Sequence, residues 1–264
     1  SQSSITIDSN TLTDAYSYGI YSYYYAYYPS ISYNTIKSRS NANSTYYGIY
    51  TYYYTTVDTM QSNKIYITST STAYGMRFYY HQNRDVSYNA RGPMFVANNE
   101  INIQSSGQII GIYAYGASNY SRWDFINNSV FTSGSTTTNY GLYLYPSTTS
   151  GYKSTVFNNH IHIQTTSAAY PLYFASISYA DTMYCNLDYN NYCTSGTESV
   201  VYIGSTSYNT LSSWQYSGYN QDLQSENVLP SYIDSVNSLK YLYSANLQVP
   251  RESNVPKDIT GRTR

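Results

Sequence analysis

The sequence predicts an all-β chain wound as a parallel β-helix, and three observations predict it. Short motifs recur about every 30 residues through the first 217 of 264 positions. Within each repeat the apolar residues alternate at period two, the period of a strand. No window carries the 3.6-residue apolar period of an amphipathic helix.

The first series of motifs reads Tyr18-Gly19-Ile20-Tyr21, Tyr47-Gly48-Ile49-Tyr50, Tyr74-Gly75-Met76-Arg77, Ile110-Gly111-Ile112-Tyr113, Tyr140-Gly141-Leu142-Tyr143 and Tyr170-Pro171-Leu172-Tyr173. Val200-Val201-Tyr202 continues it without glycine. A second series is interleaved: Asn34, Asn63, Asn99, Asn128, Asn159 and Asn191, each followed two residues later by an Ile, Val or Cys. Both series stretch once to 36 residues, so one insertion between Arg77 and Phe95 accounts for both. A third apolar row, Ile31, Met60, Val96, Phe125 and Val156, precedes the Asn series.

Each repeat therefore offers three short strands, and the chain offers about seven coils. Equivalent strands are expected to pair in parallel, about 4.8 Å apart, with the aliphatic rows stacked in one core. The Asn series is expected to align at one turn, to tolerate left-handed backbone there, and to bond along the axis. A propeller needs a blade of about 40 residues or more. A sandwich gives no reason for one residue type to recur every 30. Ile5 and Ile7 read as the first core strand, already in progress at the start of the chain.

Composition narrows the partners. Tyr, Ser, Thr and Asn supply 134 residues, 40 of them Tyr, while charged residues are only 10% and the net charge is -1. Nucleic-acid binding needs a basic field, so that partner is excluded. No apolar run approaches the roughly 20 residues of a membrane span, so no membrane insertion is expected. Hydroxyls and amides in place of charges suit an extracellular setting.

The alternation of I-x-N-N-x-I with Y-G-I-Y resembles the right-handed parallel β-helix repeats, pectate-lyase-like in fold, of secreted bacterial proteins. After Leu239-Lys240-Tyr241-Leu242, the run Asp258-Ile259-Thr260-Gly261-Arg262-Thr263-Arg264 resembles the segment that closes many such domains in bacterial surface proteins. Many of those are exported by the type IX secretion system. The resemblance implies a secreted or cell-surface bacterial protein, with secretion or surface-assembly components among its partners. It divides the chain into a β-helix at 1–217 and an irregular closing segment at 218–264, continuing into a longer protein. The sequence departs from the family in its Tyr content and low charge.

Enzymes on this fold cluster carboxylates to hold a cation or to act as acid and base. Here Asp14, Asp58, Asp85, Glu100, Asp124, Asp181, Asp188 and Glu198 do not recur at equivalent positions. Glu100 stands one coil above Lys64, which suits a cross-strand pair. The alternative reading, a polysaccharide lyase or glycoside hydrolase, rests on Arg77, His81, Arg84, Asp85 and Arg91 with Arg122-Trp123-Asp124. There Trp123 and Arg122 would stack and bond a sugar; a solvated loop of paired charges is the simpler account. His160 and His162 point outward as surface polar residues, and no metal or cofactor is expected. Cys193 takes the inward position of its coil, and a bridge to Cys185 is left open. The glycosylation-like triplets at Asn43, Asn119 and Asn127 are chance matches in so Asn-rich a chain.

The distinctive candidates are tyrosines. With the Ile, Leu and Met of each Y-G-I-Y inward, Tyr21, Tyr50, Tyr113, Tyr143, Tyr173 and Tyr202 point out, interrupted by Arg77. Two residues further lie Tyr23, Tyr52, Tyr79, Tyr115 and Tyr145. The expectation is two exposed ladders on a non-enzymatic stalk or adhesin, presented to a glycan or a surface protein. A pure scaffold with no ligand is the third reading.

Overall fold

The computed structural model describes residues 4–81, 92–116, 121–146, 153–176, 184–195, 199–230, 232–234 and 240–241. Arg84, Asp85, Arg91, Asn119, Asp181, Glu198 and the run from Leu242 to Arg264 lie outside the described residues. Three strands per repeat stack into three parallel sheets of a β-solenoid, with seven parallel strands in each. The first sheet runs from Ile7–Asp8 to Cys185–Asp188, and the second from Thr11–Ala15 to Asn191–Thr194. The third runs from Tyr18–Tyr23 to Val201–Ile203 and ends on the antiparallel strand Thr206–Tyr208. The end rungs are short, two residues at Ile7–Asp8 and three at Val201–Ile203. About five full turns result, slightly fewer than the seven coils expected.

The core is three rows of apolar side chains in register. Met60, Val96, Phe125 and Val156 stack in the first sheet. Ile36, Ile65, Ile101, Val130 and Ile161 stack in the second. Ile49, Met76, Ile112, Leu142 and Leu172 stack in the third. All of them are fully buried. Each side chain taken out of water contributes roughly 1.5–3 kcal/mol. The N-terminal rung is the weak end: Ile5 is 51% exposed and lies outside any strand, contrary to its reading as core.

The asparagine ladder forms, with two corrections. The Asn34, Asn63, Asn99 and Asn128 amide nitrogens each donate to the next Asn Oδ1 at 2.9–3.0 Å. The same Oδ1 atoms accept the backbone N–H as well, at 3.0–3.1 Å. Asn10 begins the ladder, bonding Asn34 at 3.0 Å. Its last member is Asn190, not Asn191: Asn159 donates to Asn190 Oδ1 at 3.0 Å. The left-handed residue is also not the ladder Asn but the one before it: Ser9, Tyr33, Ser62, Asn98, Asn127, Asn158 and Tyr189 all have φ near +55 to +62°. The slip at Asn190 turns Tyr192 inward opposite Ile161 and places Cys193 on the outer face opposite His162. Cys185 and Cys193 are both free thiols.

The ladder ends in a cap. Thr210 caps the helix Leu211–Gln215, accepting from the Ser213 N–H at 3.1 Å. The helix lays Leu211 and Trp214 on the end of the core. Trp214 Nε1 donates to Asp222 Oδ2 at 2.8 Å, and Asn190 Nδ2 donates to Asp222 Oδ1 at 3.0 Å. Burial pushes the Asp222 carboxyl above its usual range, while bonds from Ser225, Asn190, Trp214 and Tyr192 oppose that rise. Further on, Tyr232 of the pair Tyr232–Asp234 and Lys240–Tyr241 covers the outer face of the second sheet.

Candidate tyrosine face

The third sheet's outer face is built by a kink in every strand. Tyr18 and Tyr21 are both exposed, while Ile20 between them is buried. Two successive inward residues crowd the first against the adjacent coil; that first residue is glycine at Gly19, Gly48, Gly75, Gly111 and Gly141, and Pro171 takes the place in Ala169–Phe174. A Cβ on Gly48 would stand 2.5 Å from the Gly75 carbonyl oxygen and 2.5 Å from Ile65 Cγ2. The kink therefore presents a tyrosine on each side of the Gly-Ile pair.

Three tyrosine columns result on the strands, one more than the sequence predicts. Tyr18, Tyr47 and Tyr74 stack at 5.2 and 4.9 Å between ring centroids, with their planes nearly parallel at 7 and 14°. Tyr140 and Tyr170 resume that column at 5.8 Å. The middle column runs through Tyr113, Tyr143, Tyr173 and Tyr202 at 5.0, 4.3 and 4.9 Å. Tyr23, Tyr52, Tyr79, Tyr115 and Tyr145 follow at 5.1–5.6 Å. The following turn adds Tyr24 on Tyr53 at 5.4 Å and Tyr25 on Tyr54 at 5.3 Å. Those four have φ of +54 to +62°. Left-handed backbone is costly for a bulky side chain, and ring stacking offsets the cost.

The columns are less open than expected. Tyr21 and Tyr23 are 47% and 55% exposed, but their counterparts on later coils are half-buried and Tyr50 is only 8% exposed. Each ring shields the next, and Arg77 lies over Tyr50 with its guanidinium carbon 5.0 Å from the ring centroid. Burial, reinforced by neighbouring phenols, raises the Tyr143, Tyr113 and Tyr50 hydroxyls far above their usual range, and Tyr140 to about 12. These phenols are neutral at physiological pH. They offer hydrogen bonds and ring faces, with no charge.

The other sequence candidates fall elsewhere. Trp123 is fully buried in the first sheet and packs on Phe125 at 6.2 Å, so it is no surface platform for a sugar. Arg122 and Asp124 are half-buried beside it. Burial raises the Asp124 carboxyl, and its bond to Thr155 and the charge of Arg122 oppose that. His81 is buried, with neither ring nitrogen hydrogen-bonded. Glu100 stands in register with Lys64 as predicted, and accepts from the Tyr66 hydroxyl at 2.9 Å.

His160 and His162 do occupy outward positions, but they are not surface residues. They are 6% and 5% exposed beneath Tyr232, whose hydroxyl lies 3.2 Å from His160 Nε2 and 3.2 Å from His162 Nδ1. The Asn191 amide donates to His160 Nδ1 at 2.9 Å, which places the His160 proton on Nε2. Burial lowers His160 to about 3 and His162 to about 4. Among the described residues no three His, Cys, Asp or Glu side chains gather to hold a metal.

No family profile matches the chain, and no curated protein or solved structure matches it either. The fold and the face define a tyrosine-faced parallel β-solenoid. Neither the pectate-lyase-like family nor type IX export finds support in those comparisons.

Proposed function

We propose that this chain is a non-enzymatic binding module, a rigid stalk or adhesin-like solenoid whose tyrosine sheet docks onto glycan chains or a surface protein. One observation carries the reading: three in-register columns of neutral tyrosines, about 5 Å apart, on a sheet whose strands contain no Asp or Glu. A tyrosine presents a ring face for stacking and a hydroxyl for bonding. Hydrogen-bonded strands hold the rings in place before contact, which lowers the ordering cost of binding. No carboxylate on that sheet is positioned to cleave what is bound.

Of the residues behind the hydrolase reading, the described ones are scattered: Arg77 lies among tyrosine rings, His81 and Trp123 are buried, and only Arg122 and Asp124 are left half-exposed side by side. The half-burial of most rings favours one rival, a scaffold in which the columns serve only inter-coil packing, each pair adding about 0.5–1.5 kcal/mol. By its resemblance to bacterial surface proteins, the closing run at 258–264 extends the proposal to display at a bacterial surface after type IX export.

The test replaces Tyr113, Tyr143 and Tyr173 together by Thr, which keeps strand propensity. Attachment to a polysaccharide or surface-protein array should fall while far-ultraviolet circular dichroism stays β-rich. Unchanged attachment by an intact variant would reduce the columns to packing. Depolymerisation of a polysaccharide by the parent chain would restore the enzyme reading.

A further inference from the structure

Arg77 interrupts the middle tyrosine column, in register with Tyr50 on one side and Tyr113 on the other. Its guanidinium carbon lies 4.7–5.5 Å from five ring centroids, those of Tyr47, Tyr50, Tyr74, Tyr79 and Tyr113. Nη1 donates to the Tyr47 hydroxyl at 3.1 Å. Nε is buried with no hydrogen-bond partner. Along the described strands of the third sheet, Arg77 is the only Lys, Arg, Asp or Glu. Among the described residues no carboxylate pairs with it.

A guanidinium has five N–H donors, and they match the two oxygens of a carboxylate or sulfate better than any neutral acceptor. Ring faces stabilise its charge but accept few of those donors. This charge therefore sits half-buried on an aromatic surface with no counter-ion among the described residues, and an anion arriving there would meet donors already fixed by the cage. Tyr50 is covered on one side, but Tyr113 on the other and Tyr79 beside it are only half-buried, which leaves part of each ring open to the sugar that carries the anion.

Resting on the docking role proposed above, we propose that Arg77 makes the tyrosine face selective for acidic glycans, pairing with a uronate carboxylate or a sulfate ester while neighbouring tyrosines stack on the sugars. The anionic group is the recognised chemistry, and the two glycan types are separate arms of the test. The full chain is run in affinity electrophoresis through gels containing alginate, a sulfated galactan, or a neutral mannan. The variants are Arg77→Gln, which removes the charge, and Arg77→Lys, which keeps it.

The parent chain should bind one or both acidic polymers at least about tenfold more tightly than mannan, the size of effect expected from one charge-assisted contact. Arg77→Gln should lose that preference and keep mannan retention; Arg77→Lys should keep part of it. Added salt should weaken acidic binding selectively. Equal retention of acidic and neutral polymers by the parent, or acidic retention unchanged in Arg77→Gln, overturns the inference and leaves the docking role standing. Retention of no polymer overturns both as far as glycans are concerned. If Arg77→Gln fails to fold, the parent's preference, its salt dependence and the Arg77→Lys result decide the matter alone.

Discussion

Each interior ladder asparagine makes at least four hydrogen bonds with its side chain. Asn128, for example, accepts from the Asn99 N–H and amide, and donates to Asn159 Oδ1 and the Val96 carbonyl. Replacing Asn128 by Leu orphans buried donors and acceptors on both adjacent coils. It should cost about 1–3 kcal/mol or more in a urea titration. A loss within error would show that the ladder is decorative. The doublets Asn98-Asn99, Asn127-Asn128, Asn158-Asn159 and Asn190-Asn191 explain what the sequence left ambiguous. In the first three the second Asn is the ladder member; in the fourth it is the first. What selects the register there is the buried Tyr192 and its hydroxyl bond to Asp222 at 3.2 Å, a contact across 30 residues without a repeat signal.

The three histidines act at the same scale. Burial lowers His81 to about 3, His160 to about 3 and His162 to about 4, against an unfolded value near 6.5. The folded state keeps them neutral, so acidification protonates the unfolded chain first. Their stabilising contribution is complete above pH ~6.5 and is lost as pH falls from there through the folded values. Asp222, raised by burial, takes a proton sooner when folded and opposes part of this loss within the carboxylate range. The thermal midpoint should drop between pH ~7 and ~4.5, and His162→Gln should flatten the slope. A midpoint independent of pH across that range contradicts the burial of these rings.

Among the elements, the kinked strand is the least expected from pattern alone. Strict alternation assigns Tyr18 and Ile20 to one face, yet the kink at Gly19 sends them to opposite faces. The outer columns beginning at Tyr21 and Tyr23 were legible because alternation resumes after the kink; the column beginning at Tyr18 was not. The glycine before each inward Ile was the available signal. At Gly141 a Cβ would come 2.2 Å from Ile161 Cγ2 and 2.5 Å from the Pro171 carbonyl oxygen. Gly141→Val should therefore cost roughly 1–3 kcal/mol through overpacking, measured by denaturant unfolding. Tolerance of valine there would mean that the strand does not kink.

For the molecule as a whole, the repeat told where the solenoid runs but not how its end is closed. The cap depends on Trp214 and Asp222, and the outer cover on Tyr232 lying over His160 and His162, some 70 residues away in sequence. Such single contacts leave no periodic trace. Trp214→Ala should remove a fully buried indole from the end of the core, costing about 3–5 kcal/mol in chemical denaturation. Little change would show that the helix Leu211–Gln215 does not cap the stack.

On the proposed function, the tyrosine sheet is where this solenoid meets its ligand. Hydroxyl-radical footprinting of the full chain, free and bound to a retained polysaccharide, tests it directly by reading protection tyrosine by tyrosine. Protection should concentrate on Tyr113, Tyr143 and Tyr173 and on their neighbours Tyr79, Tyr115 and Tyr145. Tyr16, Tyr33 and Tyr216, exposed and off that sheet, should label as in the free chain. Protection confined to Tyr16, Tyr33 or Tyr216, with the sheet tyrosines unchanged on binding, contradicts the claim.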